Sequence, residues 1–256
     1  MAKGNGQDGL GPRVSHGLRA GEFHLMFQGV YHVGTGRLSR VETQVRWTHP
    51  EYGLLLPGVF MAQIESAQVL YELACFMVRS ACRELGACVR QGLEPCRIAL
   101  EVDPSVVLHE RFAQDVSEIA RAEGVAPNLL EIELAESEDA AQLLSIRALS
   151  GELRDAGVAM SYGNFGAGGA SLTYLATLCV DTVKLAPGIL AAVPHDTRAC
   201  AVAAGLFTLL DSLGVRIVVS GIETAAQAEW VGRWENVFAQ GLYLAKPVKG
   251  LAELLG

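Results

Sequence analysis

Charge of one sign is scarce in this chain. Only 19% of the 256 residues are charged, and 20 Lys+Arg stand against 28 Asp+Glu, for a net charge of -8. That balance excludes a broad nucleic-acid groove or an anionic-membrane face, because phosphate backbones and headgroups need a basic field. A small phosphate ligand held by a few focused groups stays allowed. Long apolar runs are also missing. None reaches the roughly 18 residues of a membrane span, and the longest mostly apolar stretch, around Cys200–Leu210, stops at Asp211. The opening MAKGNGQDGLGPRVSHG is polar and Gly-rich, without the apolar centre of a secretory signal. It is expected to be a flexible arm over residues 1–19. The six cysteines include no CxxC pair. Cys75, Cys82, Cys88 and Cys96 are too evenly spread for a zinc site, so reduced, mostly buried thiols in a cytoplasmic protein are expected. No Pro- or Ser-rich segment and no internal repeat divides the chain, which predicts one domain over 20–256.

What is present is half hydrophobic by count, enough for a large core. After residue 20, apolar β-rich segments alternate with longer segments of helical period. Strands are predicted over Phe23–Val33, Leu38–Trp47, Arg97–Val102, Leu129–Leu134, Val158–Tyr162, Thr182–Leu185, Arg216–Val219 and Val237–Ala239. Helices are predicted over Gly58–Arg90, His109–Glu123, Asp139–Asp155, Ala170–Leu178, Thr197–Leu213 and Ala225–Trp234. Eight strands with intervening helices predict an α/β fold, a closed (β/α)8 barrel. Only a short link around Gly34–Gly36 separates the first two strands. That is a hairpin linker, so the first strand should run antiparallel to the rest.

In such barrels the strand ends facing the βα loops build the site. Those ends carry Glu42 and Arg46, Glu101 and Asp103, Glu133 and Glu136, the loop Gly163-Asn164-Phe165-Gly166-Ala167-Gly168, Lys184, Ser220, and Gln240-Gly241. Carboxylates converging with a lysine and an amide suit Mg²⁺ or Mn²⁺, or a phosphate. Solvated strand-end polar groups are the plainer alternative.

The order and spacing of these residues resemble the EAL domain, the bacterial phosphodiesterase and receptor module for cyclic di-GMP, over roughly residues 20–250. Phe27-Gln28-Gly29-Val30 is similar to the family's Y-Q-P-I strand. Val41-Glu42-Thr43-Gln44-Val45-Arg46-Trp47 stands at its E-A-L-L-R-W signature, and Gly53, Pro57 and Phe60 match the G-x-x-x-P-x-x-F that follows. Glu133-Leu134-Ala135-Glu136-Ser137 resembles E-I-T-E-S. Gly163-Asn164-Phe165-Gly166-Ala167-Gly168 stands at D-D-F-G-T-G, and Val183-Lys184-Leu185-Ala186 at the K-I-D strand. Ser220-Gly221-Ile222-Glu223-Thr224 with Gln227 resembles E-G-V-E-T-x-x-Q, and Gln240-Gly241 with Lys246-Pro247 the closing Q-G…K-P.

The resemblance implies two divalent ions that activate a water against a phosphodiester. It also implies where this chain departs. Glu42 and Glu133 are kept, and Lys184 and Gln240 persist at positions that steer the water. Glu101 stands where the family has an Asn ligand. The paired Asp residues are Gly163 and Asn164, and the strand-seven Glu is Ser220. Three carboxylates are lost and one is gained, a large deficit beside two dications. Asn164 cannot take a proton at neutral pH. The expectation is a catalytically inactive member, needing no cofactor and holding at most a weak Mg²⁺ or Mn²⁺ on Glu42, Glu101 and Glu133. Retained cyclic di-GMP binding is expected through Gln28, Arg46, Leu56, Pro57, Phe60, Asp103, Glu223 and Gln240, with Glu136 anchoring the loop after strand five. The output is expected to pass to a protein partner. A ligand-free interaction module regulating motility or gene expression, and a weak phosphodiesterase, stand as alternatives. Monomer and homodimer both remain open.

Overall fold

The computed structural model describes residues 10–137, 147–168 and 172–256. Nine strands form one sheet: β1 Phe23–His32, β2 Arg37–His49, β3 Gly53–Leu55, β4 Arg97–Val102, β5 Leu130–Ala135, β6 Ala159–Phe165, β7 Thr182–Leu185, β8 Arg216–Val219 and β9 Val237–Ala239. Their order is β1-β9-β8-β7-β6-β5-β4-β2-β3, and β1 also pairs with β2. That pairing closes an eight-stranded barrel, with β3 hanging as a short antiparallel flap on β2. β1 is antiparallel to both β2 and β9, while the remaining barrel neighbours are parallel. The reversed first strand follows from the tight link after His32, which leaves no room for a crossover.

The structure differs from the sequence reading at several elements. Helix α1 occupies Leu10–Ala20, where an arm was expected through residue 19. Its Val14 is fully buried, and a single apolar stripe suffices to dock a helix of eleven residues. The helix expected over Gly58–Arg90 is broken. A four-residue turn, α2 Pro57–Phe60, and a 3₁₀ turn Met61–Gln63 precede α3 Ala67–Arg90. The break has a local cause: Ile64 is extended, and the Ser66 side chain accepts from the Val69 backbone N–H and starts a new helix. The helix expected from His109 begins at Phe112, and that expected over Ala225–Trp234 ends at Val231. The segment expected as a helix over 170–178 is a 3₁₀ turn, Leu172–Ala176, with residues 170 and 171 outside the described residues. Of the helix expected over 139–155, Arg147–Asp155 is described and helical.

Alternation along each strand sends one set of side chains out to the helices and the other into the barrel. Outward go Ile98, Leu100, Leu130, Ile132, Val183 and Ile217, each at most 1% exposed. Near β1 and β2 the outer core is aromatic. Phe23 stacks on Trp47 with ring centroids 4.9 Å apart. Inward the pattern is not the usual filling of branched aliphatics. Arg40, Glu131, Ser161 and Thr182 lie inside, all fully buried. No helix among the described residues is long and apolar enough to cross a membrane.

Candidate active site

Three strands bring the central charges together. Glu42 comes from β2, Glu133 from β5 and Lys184 from β7. The Lys184 ammonium donates to Glu42 Oε2 at 2.6 Å and to Glu133 Oε1 at 2.8 Å. Burial disfavours the ammonium, but Glu133 and Glu42 outweigh it and hold its pKa above the ordinary lysine range. Burial raises the Glu133 carboxyl, Lys184 opposes, and Glu42 adds to the rise. The second Glu133 oxygen lies 3.5 Å from Arg40 Nη2, and Arg40 also pairs closely with Glu131. Glu131 Oε2 in turn lies 3.7 Å from Arg97. The ion pairs therefore run as one chain along the barrel axis, Glu42–Lys184–Glu133–Arg40–Glu131–Arg97.

Glu101, on β4 beside Glu133, keeps an exposed edge at the mouth. Surrounding protein still desolvates its carboxyl and raises its pKa, and Glu133 raises it further. A carboxyl raised on folding is a stability cost that is absent below the unfolded pKa and grows as pH rises through the folded one. Glu101→Gln should therefore raise thermal stability at pH 8 and leave it unchanged near pH 4. The gain is expected to stay below about 1 kcal/mol, because the group is partly solvated. A loss at pH 8 would contradict this account.

Gly163, on β6, faces Glu133. A Cβ there would lie 2.5 Å from Glu133 Oε1 and 2.8 Å from its Cδ and Cγ. The glutamate side chain thus occupies the space that a side chain at 163 would need. Asn164 follows in the left-handed region at φ 56°, which Asn tolerates better than most residues. Ser220 is buried and its hydroxyl donates to the Leu185 carbonyl at 2.7 Å, so it is already engaged with the strand. Among the described residues no group of three His, Cys, Asp or Glu is disposed to hold a metal ion.

Beside this centre opens a cavity of about 400 Å³. Glu42, Arg46, Glu101 and Asp103 give its polar side; Leu56, Pro57 and Met61 give an apolar wall. The Arg46 guanidinium is fixed from behind: Nη1 donates to the Val45 carbonyl at 3.0 Å and Nη2 to Gln44 Oε1 at 2.7 Å. Gln44 donates to Gln28 Oε1 at 2.8 Å, and Gln28 donates to the Ala245 carbonyl at 2.9 Å. Partial burial lowers the Arg46 pKa below the usual arginine value. Asp103 caps the short helix Pro104–Val107, accepting from the Ser105 backbone N–H at 2.9 Å. Gln240 is buried on β9's end, its backbone bonded to Val219 and Ile222, and its Nε2 has no hydrogen-bond partner among the described residues. Glu223 is exposed on the loop that enters the helix Ala225–Val231. Glu136 Oε2 accepts the backbone N–H groups of Gly166, at 3.2 Å, and Gly168.

Phe60 does not line the cavity. It is fully buried and packs edge-on against Phe23, at 5.7 Å, and Trp47, at 5.6 Å. The apolar wall is instead completed by Met61, one residue on, because the turn Pro57–Phe60 rotates Phe60 into the aromatic core. Sequence reasoning also missed Arg40, Glu131 and Gln44. A signal was available: Arg40, Glu42, Gln44 and Arg46 alternate at period two, which places all four on the inner face of β2.

The EAL domain pattern matches residues 12–247. Cyclic di-GMP phosphodiesterase NbdA of Pseudomonas aeruginosa is 27% identical over 231 residues, which cover 90% of this chain and 30% of NbdA. The chain thus spans under a third of that relative. The uncharacterized protein Rv1357c of Mycobacterium tuberculosis is 30% identical over 236 residues, covering 90% of this chain and 76% of that protein. Among solved structures, the PaMucR phosphodiesterase in its c-di-GMP complex superposes with a TM-score of 0.84 at 27% identity, covering 95% of this chain and 98% of that one. The FimX EAL domain from Pseudomonas aeruginosa shares the fold at a TM-score of 0.82, with 16% identity over 93% of this chain and 96% of that one. With its barrel closed by a reversed first strand and its family pattern running through all eight barrel strands, this chain belongs to the EAL domain family.

Proposed function

We propose that this chain is a catalytically inactive EAL domain that binds cyclic di-GMP without hydrolysing it and passes the bound state to a protein partner. The observation that carries the inactive half is the contact at Gly163. The position offers no carboxylate, and Glu133 fills the space where one would stand. The remaining oxygens do not fit two dications. Ser220 is bonded to its own strand neighbour, and Glu42 and Glu133 each give an oxygen to the Lys184 ammonium. A divalent ion bridging Glu42 and Glu133 would have to compete with that ammonium for their oxygens.

The binding half rests on Arg46. Its guanidinium is braced by Gln44 and Val45 and lines a cavity with an apolar wall opposite its polar side. A guanidinium held this way suits a phosphate oxygen, and Leu56, Pro57 and Met61 suit a purine face. The c-di-GMP-bound PaMucR relative, at 27% identity, supports the same ligand.

Calorimetric titration with cyclic di-GMP, with recovery of the nucleotide afterwards, tests both halves. Saturable heat with intact nucleotide is the expected result, with or without Mg²⁺. Arg46→Ala should weaken binding roughly 10–100-fold, the cost of one charge-assisted contact. Recovery of linearised nucleotide would overturn the inactive reading. No heat at two temperatures would overturn the receptor reading and leave a protein-interaction scaffold.

A further inference from the structure

The opposite end of the barrel holds a second cavity, of about 550 Å³. It opens where β2, β4 and β8 begin, and it is lined by Arg37, Arg97 and Arg216 at the first residue of each strand. Glu94 is the acid in its lining, and Leu254 and Leu255 of the C-terminal turn give an apolar edge. Three guanidiniums around one space stand out in a chain of net charge -8.

The three are not equally engaged. Arg97 lies 3.7 Å from Glu131 and donates to the Asn128 carbonyl at 3.3 Å. Arg37 is exposed, and its side chain has no polar partner among the described residues. Arg216 is half-buried, with its guanidinium 5.3 Å over the Phe238 ring and no hydrogen bond or ion pair among the described residues. Burial, and then Arg97, lower its pKa, while Glu131 and Asp181 act in the other direction. A desolvated cation packed toward like charges is costly unless an anion joins it. Each guanidinium also presents a planar fork of N–H donors that can hold phosphate oxygens bidentately.

We infer that this cavity is an anion site for a small organic phosphate, its phosphoryl group between Arg37, Arg97 and Arg216 and its carbon skeleton against Leu254 and Leu255. The site lies at the far pole from the Arg46 cavity, so it stands or falls independently of cyclic di-GMP binding.

Phenyl phosphate serves as the probe, with phenol as the uncharged control and inorganic phosphate as the headgroup alone, in metal-free buffer. The full chain should bind phenyl phosphate saturably, inorganic phosphate several-fold more weakly, and phenol not at all. Arg216→Gln should weaken phenyl phosphate at least tenfold, and the exposed Arg37→Gln should weaken it measurably without unfolding. A purely structural arginine predicts that Arg216→Gln melts at lower temperature in phosphate-free buffer. An anion site predicts equal or higher thermal stability there, with the stabilisation by phenyl phosphate lost. Absence of saturable binding, or equal binding by the parent and both variants, would overturn the assignment. Binding lost in Arg46→Ala but kept in Arg216→Gln would overturn it too, since the probe would then sit in the other cavity.

Discussion

Replacing Arg40 by methionine lowers the stability of the folded chain by about 3–5 kcal/mol, the usual consequence of leaving a buried charge without its partner. Arg40 is fully buried and its guanidinium joins Glu131 to Glu133. Burial alone would raise the Glu131 carboxyl, but Arg40 more than offsets it and leaves the pKa below the ordinary range. A carboxyl lowered on folding contributes stability above its unfolded pKa and loses it as pH falls through the folded one. The deficit of Arg40→Met should therefore be largest at neutral pH and shrink in acid, where Glu131 of the variant takes up a proton. Arg97, 3.7 Å from Glu131 at the cavity end, recovers only part of the loss. The double variant Arg40→Met with Glu131→Leu should regain most of it, because two well-packed apolar groups replace a desolvated pair at little net cost. Denaturant unfolding at pH 7 and pH 4 reads all three. A single variant within about 1 kcal/mol of the parent, below the cost of one buried unpaired group, would show that the charge chain is solvated.

The second large effect is expected at the mouth. Gly163→Asp, Asn164→Asp and Ser220→Glu together return carboxylates to the three places where the family resemblance puts them. Turnover of cyclic di-GMP should then rise at least 10²-fold over the parent, a typical gain when a general base is restored. Gly163→Asp alone should stay inert and lose roughly 1–3 kcal/mol, because overpacking a filled site forces a neighbour to move. The neighbour is Glu133, whose oxygen lies 2.5 Å from the new Cβ and is held by Lys184. Gly163→Ala should show the same stability cost without adding any charge, which separates the steric effect from the electrostatic one. Nucleotide cleavage by the parent at the rate of the triple variant would contradict the inactive reading, and a neutral Gly163→Ala would contradict the packing at Glu133.

Much of the barrel was legible from the chain. The strand periods, the hairpin after His32 and the reversed first strand are local properties, set by period-two alternation and by how few residues separate β1 from β2. So was the placing of Glu101, Glu133, Lys184 and Ser220 toward strand ends, whereas Glu42 lies midway along β2. Gly163 could be read as standing in place of a carboxylate only through the family resemblance, since a glycine by itself says nothing of what another chain carries there. The sequence also located Glu136 next to the glycine loop, and the bonds from Gly166 and Gly168 to its carboxylate show how that neighbourhood is spent.

Tertiary structure alone decided the rest. The family resemblance put Phe60 on a ligand wall, yet a four-residue turn sent it into the aromatic core and left Met61 facing the cavity. Helix α1 looked like an arm because its composition is polar and Gly-rich, and docking of Val14, with Leu10 and Leu18 packed beside the core, offsets its ordering. Nothing along the chain says that Arg40 would join Glu131 and Glu133, residues 91 and 93 positions away. Nor does it say that Glu133 would lean over Gly163. Such contacts depend on which strands become neighbours and in what register, and closing the barrel fixes both at once. The sequence by itself determined which groups this protein has and the face each one takes; the closed sheet decided which of them meet, because side chains tens of residues apart share a site only after the strands that carry them are paired.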